Sequence, residues 1–211
     1  MKDLRPSGWN DLPGQVLLQD SSDDRATKNP GHSVINIQRV LEGLGPPPVF
    51  EPSTFRAFDV FTGYLTLDAL IANSDRHDRN WAVLRPQPGE PGPDLLCGSY
   101  DHASSLAFNL SDDQRARRLR EGTVRSWAER GRARQFERLP GQSIPTLVEL
   151  AHSALRRCSS EARDRWQEAV RSFDATVAER TLTAMPGLSV ATATFSHEVL
   201  MINRKRLLDV C

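Results

Sequence analysis

The sequence predicts an α+β domain that is mostly α-helical and carries one short β-hairpin. Residues 55–72 repeat apolar side chains at steps of three and four, which is typical of a buried helix. Residues 81–98 hold two short apolar runs around a turn rich in proline and glycine, which indicates a hairpin. From residue 111 onward, helix-start residues precede amphipathic stretches, so helices should make up the second half of the chain.

The composition fits a globular protein that is somewhat polar, with 211 residues of which 38% are hydrophobic and 26% charged. The 27 basic and 27 acidic residues cancel, so the whole molecule has no electrostatic bias toward nucleic acid or a membrane surface. No apolar run approaches the roughly 20 residues of a membrane-spanning helix. Residues 1–20 also lack the layout of a signal peptide. We therefore expect no membrane partner and no direct nucleic-acid partner.

The cysteines are few and scattered, at Cys97, Cys158 and Cys211. An odd set with wide spacing argues against a disulfide framework and against a zinc site. A reducing compartment suits such thiols, so we expect a cytoplasmic protein.

Residues 1–54 are predicted to form an irregular N-terminal segment, and residues 55–211 the folded domain. Within the segment, His32–Leu41 predicts a short helix with Ser33 as its N-cap and Gly43 as its stop. The polar and Gly/Pro-rich stretches on either side of it favour loops.

The strongest predicted helix is Phe55–Ala72, which is apolar nearly all round and should therefore be buried. Pro52 ends whatever precedes it, and Ser53 or Thr54 would cap it. A dense polar loop, residues 73–80, follows the helix at once.

The hairpin is predicted to pair Trp81–Leu84 with Leu95–Gly98 and to lead directly to Tyr100 and Asp101. Helices follow it to the end of the chain. The predicted helices are one starting at Ser111, one over Pro145–Arg157, one from Ser159 or Ser160 to about Ala184, and one over Phe195–Val210.

The polar loop and the end of the hairpin carry the residues that phosphoryl transfer needs. That reaction requires a carboxylate facing the attacking hydroxyl and oxygen ligands that hold Mg²⁺ against the nucleotide phosphates. Protein kinases place the catalytic Asp five residues before a metal-binding Asn, and a second metal-binding Asp follows on a nearby hairpin. Asp75 and Asn80 have this five-residue spacing, and the hairpin should return Asp101 to the side of Asn80.

The stretch NSDRHDRNW at residues 73–81, followed by YDHASSL at residues 100–106, resembles the catalytic and metal-binding segments of the HipA-like serine/threonine kinases. It is similar, more distantly, to the DRHxxN segment of phosphatidylinositol kinases. The ending NRKRLLD at residues 203–209 resembles the last helix of HipA-like proteins. The resemblance extends from Phe55 to the end of the chain, although only residues 70–106 carry specific motifs.

This resemblance implies the C-terminal lobe of a protein-kinase-like fold that uses ATP and Mg²⁺ to phosphorylate a protein on serine or threonine. It implies Asp75 as the catalytic base, and Asn80 and Asp101 as the Mg²⁺ and nucleotide ligands. Arg76 and His77 would support the loop or the phosphates. The family also suggests a toxin–antitoxin context, with an antitoxin protein as a possible partner.

The N-terminal lobe that grips ATP in kinases is absent from residues 1–54 in this prediction. The G-x-G of the segment, Gly43 to Gly45, is followed by three prolines, so it does not read as a phosphate-binding loop. The chain has three lysines, and none of Lys2, Lys28 and Lys205 falls on a predicted strand.

Three interpretations therefore stay open. The chain is a truncated kinase gene product, half of a split kinase completed by a separate N-lobe protein, or a non-catalytic interaction module with a kinase fold. The first two predict nucleotide contacts through Asn80 and Asp101, and the third predicts none. The Arg-rich segment at residues 115–138 reads most simply as a solvated helical face, with a basic patch for nucleic acid or a phosphorylated partner as the alternative.

Overall fold

The computed structural model describes residues 8–21, 26, 28–52 and 54–209. Over these residues it confirms an α-rich α+β protein with one small antiparallel sheet. The strands are β1 (Trp9–Pro13), β2 (Ala82–Pro86) and β3 (Leu95–Leu96), and the helices are α1 (Gly14–Leu17), α2 (Val34–Val40), α3 (Ala57–Leu70), α4 (Asp112–Arg120), α5 (Val124–Ala128), α6 (Leu147–Leu155), α7 (Ser160–Arg171), α8 (Ala175–Ala184) and α9 (Val190–Leu208). The residues Lys2, Ser53, Val210 and Cys211, named above, lie outside the described part of the chain.

The sheet has the order β1-β2-β3, and both pairs are antiparallel. Strands β2 and β3 form the predicted hairpin, with Val83 opposite Leu96. Strand β1 was not predicted, because its sequence WNDLP is polar, ends in proline and does not alternate. It forms by pairing with β2, with Asp11 opposite Leu84, so distant contacts outweigh its weak local preference.

Helix α3 lies at the centre of the molecule, and the prediction of a buried helix is confirmed. Its N-cap is Arg56 rather than Thr54, because the Asp59 carboxylate accepts a hydrogen bond from the Arg56 backbone N–H at 3.1 Å. The helix ends at Leu70, and Ala72 takes a positive φ of 54° that turns the chain into the polar loop.

Side-chain caps start the later helices at Ser111, Thr146, Ser159, Asp174 and Ser189. The prediction of one long helix from Ser159 to Ala184 was wrong, because the chain breaks it into α7 and α8. The Asp174 carboxylate accepts hydrogen bonds from the N–H groups of Thr176 and Val177 and so starts a new helix. The last helix begins at Val190, five residues earlier than predicted.

The main core packs around α3, where Phe61 is fully buried. Ile37 and Leu41, from within residues 1–54, belong to the same core. A second, smaller core joins α5 to α9 through Val124, Phe195 and their neighbours. The division of the chain at residue 54 stays a prediction. Among the described residues, no helix combines the length and apolar character needed to cross a membrane.

Candidate functional site

The polar loop of residues 73–80 is fixed to the end of α3 by Asn73. The Asn73 side chain is fully buried, and its amide nitrogen donates to an Asp68 carboxylate oxygen at 2.8 Å. Its amide oxygen accepts from the Asp75 backbone N–H at 3.1 Å. One buried amide therefore joins the helix to the loop and fixes the position of the Asp75 backbone.

Arg76 lies beneath the loop and is 2% exposed. Its guanidinium forms a two-pronged ion pair with Asp68, with N–O distances of 2.7 and 2.9 Å. A third nitrogen, Nη1, donates to the carbonyl of Asn80 at 2.6 Å and to the carbonyl of Tyr100 at 3.4 Å. Because both carbonyls bind one nitrogen, the end of the loop and the end of the hairpin lie side by side.

The hairpin return is also held by side chains of the 99–104 segment. Ser99 accepts a hydrogen bond from Arg76 Nη2 at 3.0 Å. The Tyr100 hydroxyl donates to the carbonyl of Arg79 at 2.9 Å. Burial raises the pKa of Tyr100 to about 12, so this hydroxyl keeps its proton and remains a donor at neutral pH.

Asp75 is half-buried, and both of its carboxylate oxygens have a donor nearby. Oδ1 accepts from the Gln135 side-chain amide at 2.7 Å, and Oδ2 accepts from the Ser104 hydroxyl at 3.4 Å. Its backbone carbonyl accepts from the Asn80 side-chain amide at 2.7 Å, which closes the five-residue loop. The structure therefore brings Asp75, Asn80 and the 99–104 segment together.

Asn80 and Asp101 offer the oxygen atoms that Mg²⁺ prefers. Asn80 is 4% exposed, and its amide nitrogen is committed to Asp75, which leaves its Oδ1 as the atom for a cation. Asp101 is exposed and has a φ of 55°. Among the described residues, no cluster of three or more His, Cys, Asp and Glu side chains is arranged for a metal. Such a donor pair fits Mg²⁺ that takes its other ligands from phosphates and water.

His77 forms hydrogen bonds within the loop. Its ring Nδ1 accepts from the Arg79 backbone N–H at 3.1 Å, and the backbone N–H of His77 donates to the Asp75 carbonyl at 2.7 Å. His77 lines a cavity of about 440 Å³, which Gln135, the hydrogen-bond partner of Asp75, also lines. The other polar residues of this cavity include Gln15, Gln19, Asn29, Asp78 and Gln135.

Three residues of the site were missed from the sequence, namely Asp68, Ser99 and Gln135. Asp68 had a signal, because it is a carboxylate near the end of a mostly apolar helix, eight residues before Arg76. Ser99 and Gln135 had none, since each reaches the loop only through the tertiary fold. His32, which the sequence placed only at the start of a predicted helix, is also buried and lines the same cavity as His77.

Comparison with known proteins adds one finding. No protein-family model matches the chain, and no curated protein matches it. Among solved structures, the chain is similar to the Helicobacter pylori proinflammatory kinase CtkA, with a TM-score of 0.60 and 16% sequence identity. The match covers 99% of this chain and 72% of that one. At this identity the likeness shows the fold alone, so the chain has a kinase-like fold, and the HipA-like family remains a resemblance.

Proposed function

We propose that this chain carries the catalytic loop and the ATP–Mg²⁺ half-site of a serine/threonine protein kinase of the HipA-like type. The observation that carries the proposal is the arrangement around Arg76. Its guanidinium binds the carbonyls of Asn80 and Tyr100 together, and Asp101 directly follows Tyr100 in the chain. The kinase-like fold supports the same conclusion.

Each proposed residue has a role that its surroundings allow. Asp75 would accept the proton of a serine or threonine hydroxyl that approaches from the cavity lined by its hydrogen-bond partner Gln135. Asn80 and Asp101 would hold Mg²⁺ by oxygen atoms, and the bound ion would neutralise charge on the transferred phosphate. Arg76 would keep the loop in place from below, and His77 would border the entrance.

We further propose that phosphotransfer requires a small lobe that residues 1–54 do not supply. In the described part of the chain, the Lys28 backbone forms an isolated antiparallel β-bridge with Arg138, and Lys205 lies in α9. Neither is therefore the strand lysine that grips ATP in protein kinases. A separate protein with an ATP-gripping lobe would complete a split enzyme.

The second candidate is a non-catalytic interaction module with a kinase fold. The observation that favours it is that Gln135 and Ser104 already contact both carboxylate oxygens of Asp75. A nucleic-acid patch on the Arg-rich segment has less support, since Arg117 pairs with Glu121, and Arg125 with Glu129.

Calorimetric titration of the purified chain with ATP and Mg²⁺ tests the proposal. We expect binding by the wild type and at least about tenfold weaker binding by Asp101→Ala, because that variant loses a charged metal ligand. Asp164→Ala, which removes an exposed carboxylate from α7, is the matched control and should bind as the wild type does. Absence of Mg²⁺-dependent binding by the wild type would favour the interaction module.

A further inference from the structure

The side-chain amide of Gln135 donates a hydrogen bond to Asp75, 60 positions earlier in the sequence, with Nε2 2.7 Å from Oδ1. Gln135 belongs to the irregular connection between α5 and α6, so no helix or strand fixes it. A single hydrogen bond from a loop residue would give the carboxylate little order unless the loop itself were held. The place of the Gln135 backbone therefore decides whether this contact persists.

A clamp between residues 28–32 and residues 134–138 holds that backbone. Asn29 donates through its side chain to the carbonyl of Arg134 at 2.8 Å. The Glu137 N–H donates to the carbonyl of His32 at 2.8 Å, and the Glu137 carboxylate accepts from the Gly31 N–H at 2.7 Å. These bonds come from both sides of Gln135, so the N-terminal segment fixes it.

His32 is the centre of the clamp. Its Nδ1 lies 2.7 Å from the Gln135 carbonyl, and its Nε2 accepts from the Trp81 indole N–H at 3.2 Å. The carbonyl can only accept and the indole can only donate, so the ring is neutral with its proton on Nδ1. The ring also stacks on Phe136, with centroids 4.5 Å apart. Since Trp81 directly follows Asn80, His32 joins the Gln135 backbone to the end of the catalytic loop.

We propose that Gln135 is a positioning residue for Asp75, and that the N-terminal segment sets its place through His32. The carboxylate of an Asp rotates over a broad range about its last torsion unless a donor fixes it. The Gln135 amide supplies that donor, and an amide neither gives up nor takes a proton at neutral pH. The contact leaves one lone pair of Oδ1 for a substrate hydroxyl, since each carboxylate oxygen has about two acceptor positions. The meaning of this positioning for phosphotransfer rests on the proposed function.

A double-mutant cycle tests the contact without any need for activity. Gln135→Leu and Asp75→Ala are combined, and unfolding by urea is measured for the wild type, both single variants and the double variant. We expect the unfolding constant of the double variant to differ by at least about threefold from the value that additive effects give. Gln142→Leu, at an exposed position of the same connection, should be additive with Asp75→Ala.

The link through His32 is tested by a second cycle that pairs His32→Gln with Gln135→Leu, or His32→Phe if the first variant does not fold. Non-additivity of similar size is expected, since the clamp holds the Gln135 backbone. Additive effects in either cycle would overturn the proposal.

Where phosphotransfer is measurable, Gln135→Leu should lower kcat by about tenfold or more and leave the KM for ATP unchanged, since the Gln135 amide bonds to Asp75 rather than to the proposed nucleotide ligands Asn80 and Asp101. Unchanged kcat would overturn the positioning role. If no variant binds ATP or transfers phosphate, the proposed function fails, and the cycles alone decide whether Gln135 orders Asp75.

Discussion

At the scale of single residues, Arg76 is a buried motif residue that holds the candidate site together by hydrogen bonds. Its side chain is 2% exposed, and its ion-pair partner Asp68 is 4% exposed. The charge of Arg76 is thus largely matched by Asp68, and its remaining donors hold the carbonyls of Asn80 and Tyr100. Loss of this one side chain would release both halves of the candidate metal site at once.

The buried pair offers a direct comparison with an exposed one. Arg76→Leu should lower the free energy of unfolding by about 3–5 kcal/mol, because it leaves the Asp68 carboxylate buried without its partner. Arg85 pairs with Asp94 at the surface through two nitrogens, with Nε 3.2 Å from Oδ1 and Nη2 2.6 Å from Oδ2. Arg85→Leu should therefore cost about 1 kcal/mol or less. Urea denaturation of both variants measures the difference, and equal effects would contradict the structural role of Arg76.

The meeting of the loop and the hairpin could be predicted from sequence, because both lie within residues 73–101 and hairpin geometry is local. The five-residue spacing of Asp75 and Asn80 carried that prediction. The neighbours of Asp75 could not be predicted in the same way. Gln135 lies 60 positions away in an irregular connection, and no pattern in the sequence sets the direction of its side chain.

At the scale of elements, α3 and α7 approach each other closely because α3 carries a glycine at the contact. A Cβ atom added at Gly63 would lie 2.5 Å from the ring of Trp166. The same indole donates its N–H to the Asp59 carbonyl at 2.8 Å. The ring therefore has a fixed place on α3 and little room to retreat.

Gly63→Ala should destabilise the protein by about 1–3 kcal/mol, although alanine favours helices by about 1 kcal/mol over glycine, because the methyl group overpacks the contact. Chemical denaturation measures this change. The double variant Gly63→Ala/Trp166→Phe should cost less than the two single changes add up to, since the smaller ring makes space. A stabilised Gly63→Ala variant would show that α7 can shift away without loss.

Helix starts were the elements most open to prediction, because a cap is a local interaction. Ser33, Ser111 and Ser159 were each named from sequence, and each accepts a backbone N–H three residues on. The break between α7 and α8 was missed because the cap at Asp174 lies inside a stretch that was predicted as one continuous helix. Strand β1 was missed because its pairing partner β2 is about 70 residues away.

At the scale of the whole molecule, α9 connects the two cores. Leu200 and Leu207 belong to the main core, and Phe195 and Val199 belong to the smaller one. Phe195 is fully buried and meets Trp127 edge to face, with ring centroids 5.4 Å apart. One continuous helix thus makes the stability of each core depend on the other.

Phe195→Ala should lower the free energy of unfolding by about 3–5 kcal/mol through the cavity it leaves. Phe108→Ala should change it by only about 0.5 kcal/mol, because that ring is 60% exposed. Unfolding of Phe195→Ala should remain one transition by both tryptophan fluorescence and circular dichroism. Two separate transitions would show that the cores are independent.

The clamp between residues 28–32 and 134–138 also has a consequence for the order in which a nascent chain can assemble. Its hydrogen bonds join residues more than a hundred positions apart, 105 for Asn29 with Arg134 and 103 for His32 with Gln135. Ribosomes add about 5–20 residues per second, so His32 would wait roughly 5–20 s before its partner emerges. During the second half of that interval the loop of residues 73–80 is already made but lacks the Gln135 contact to Asp75. The site is therefore completed late in synthesis, after the residues that define its motif.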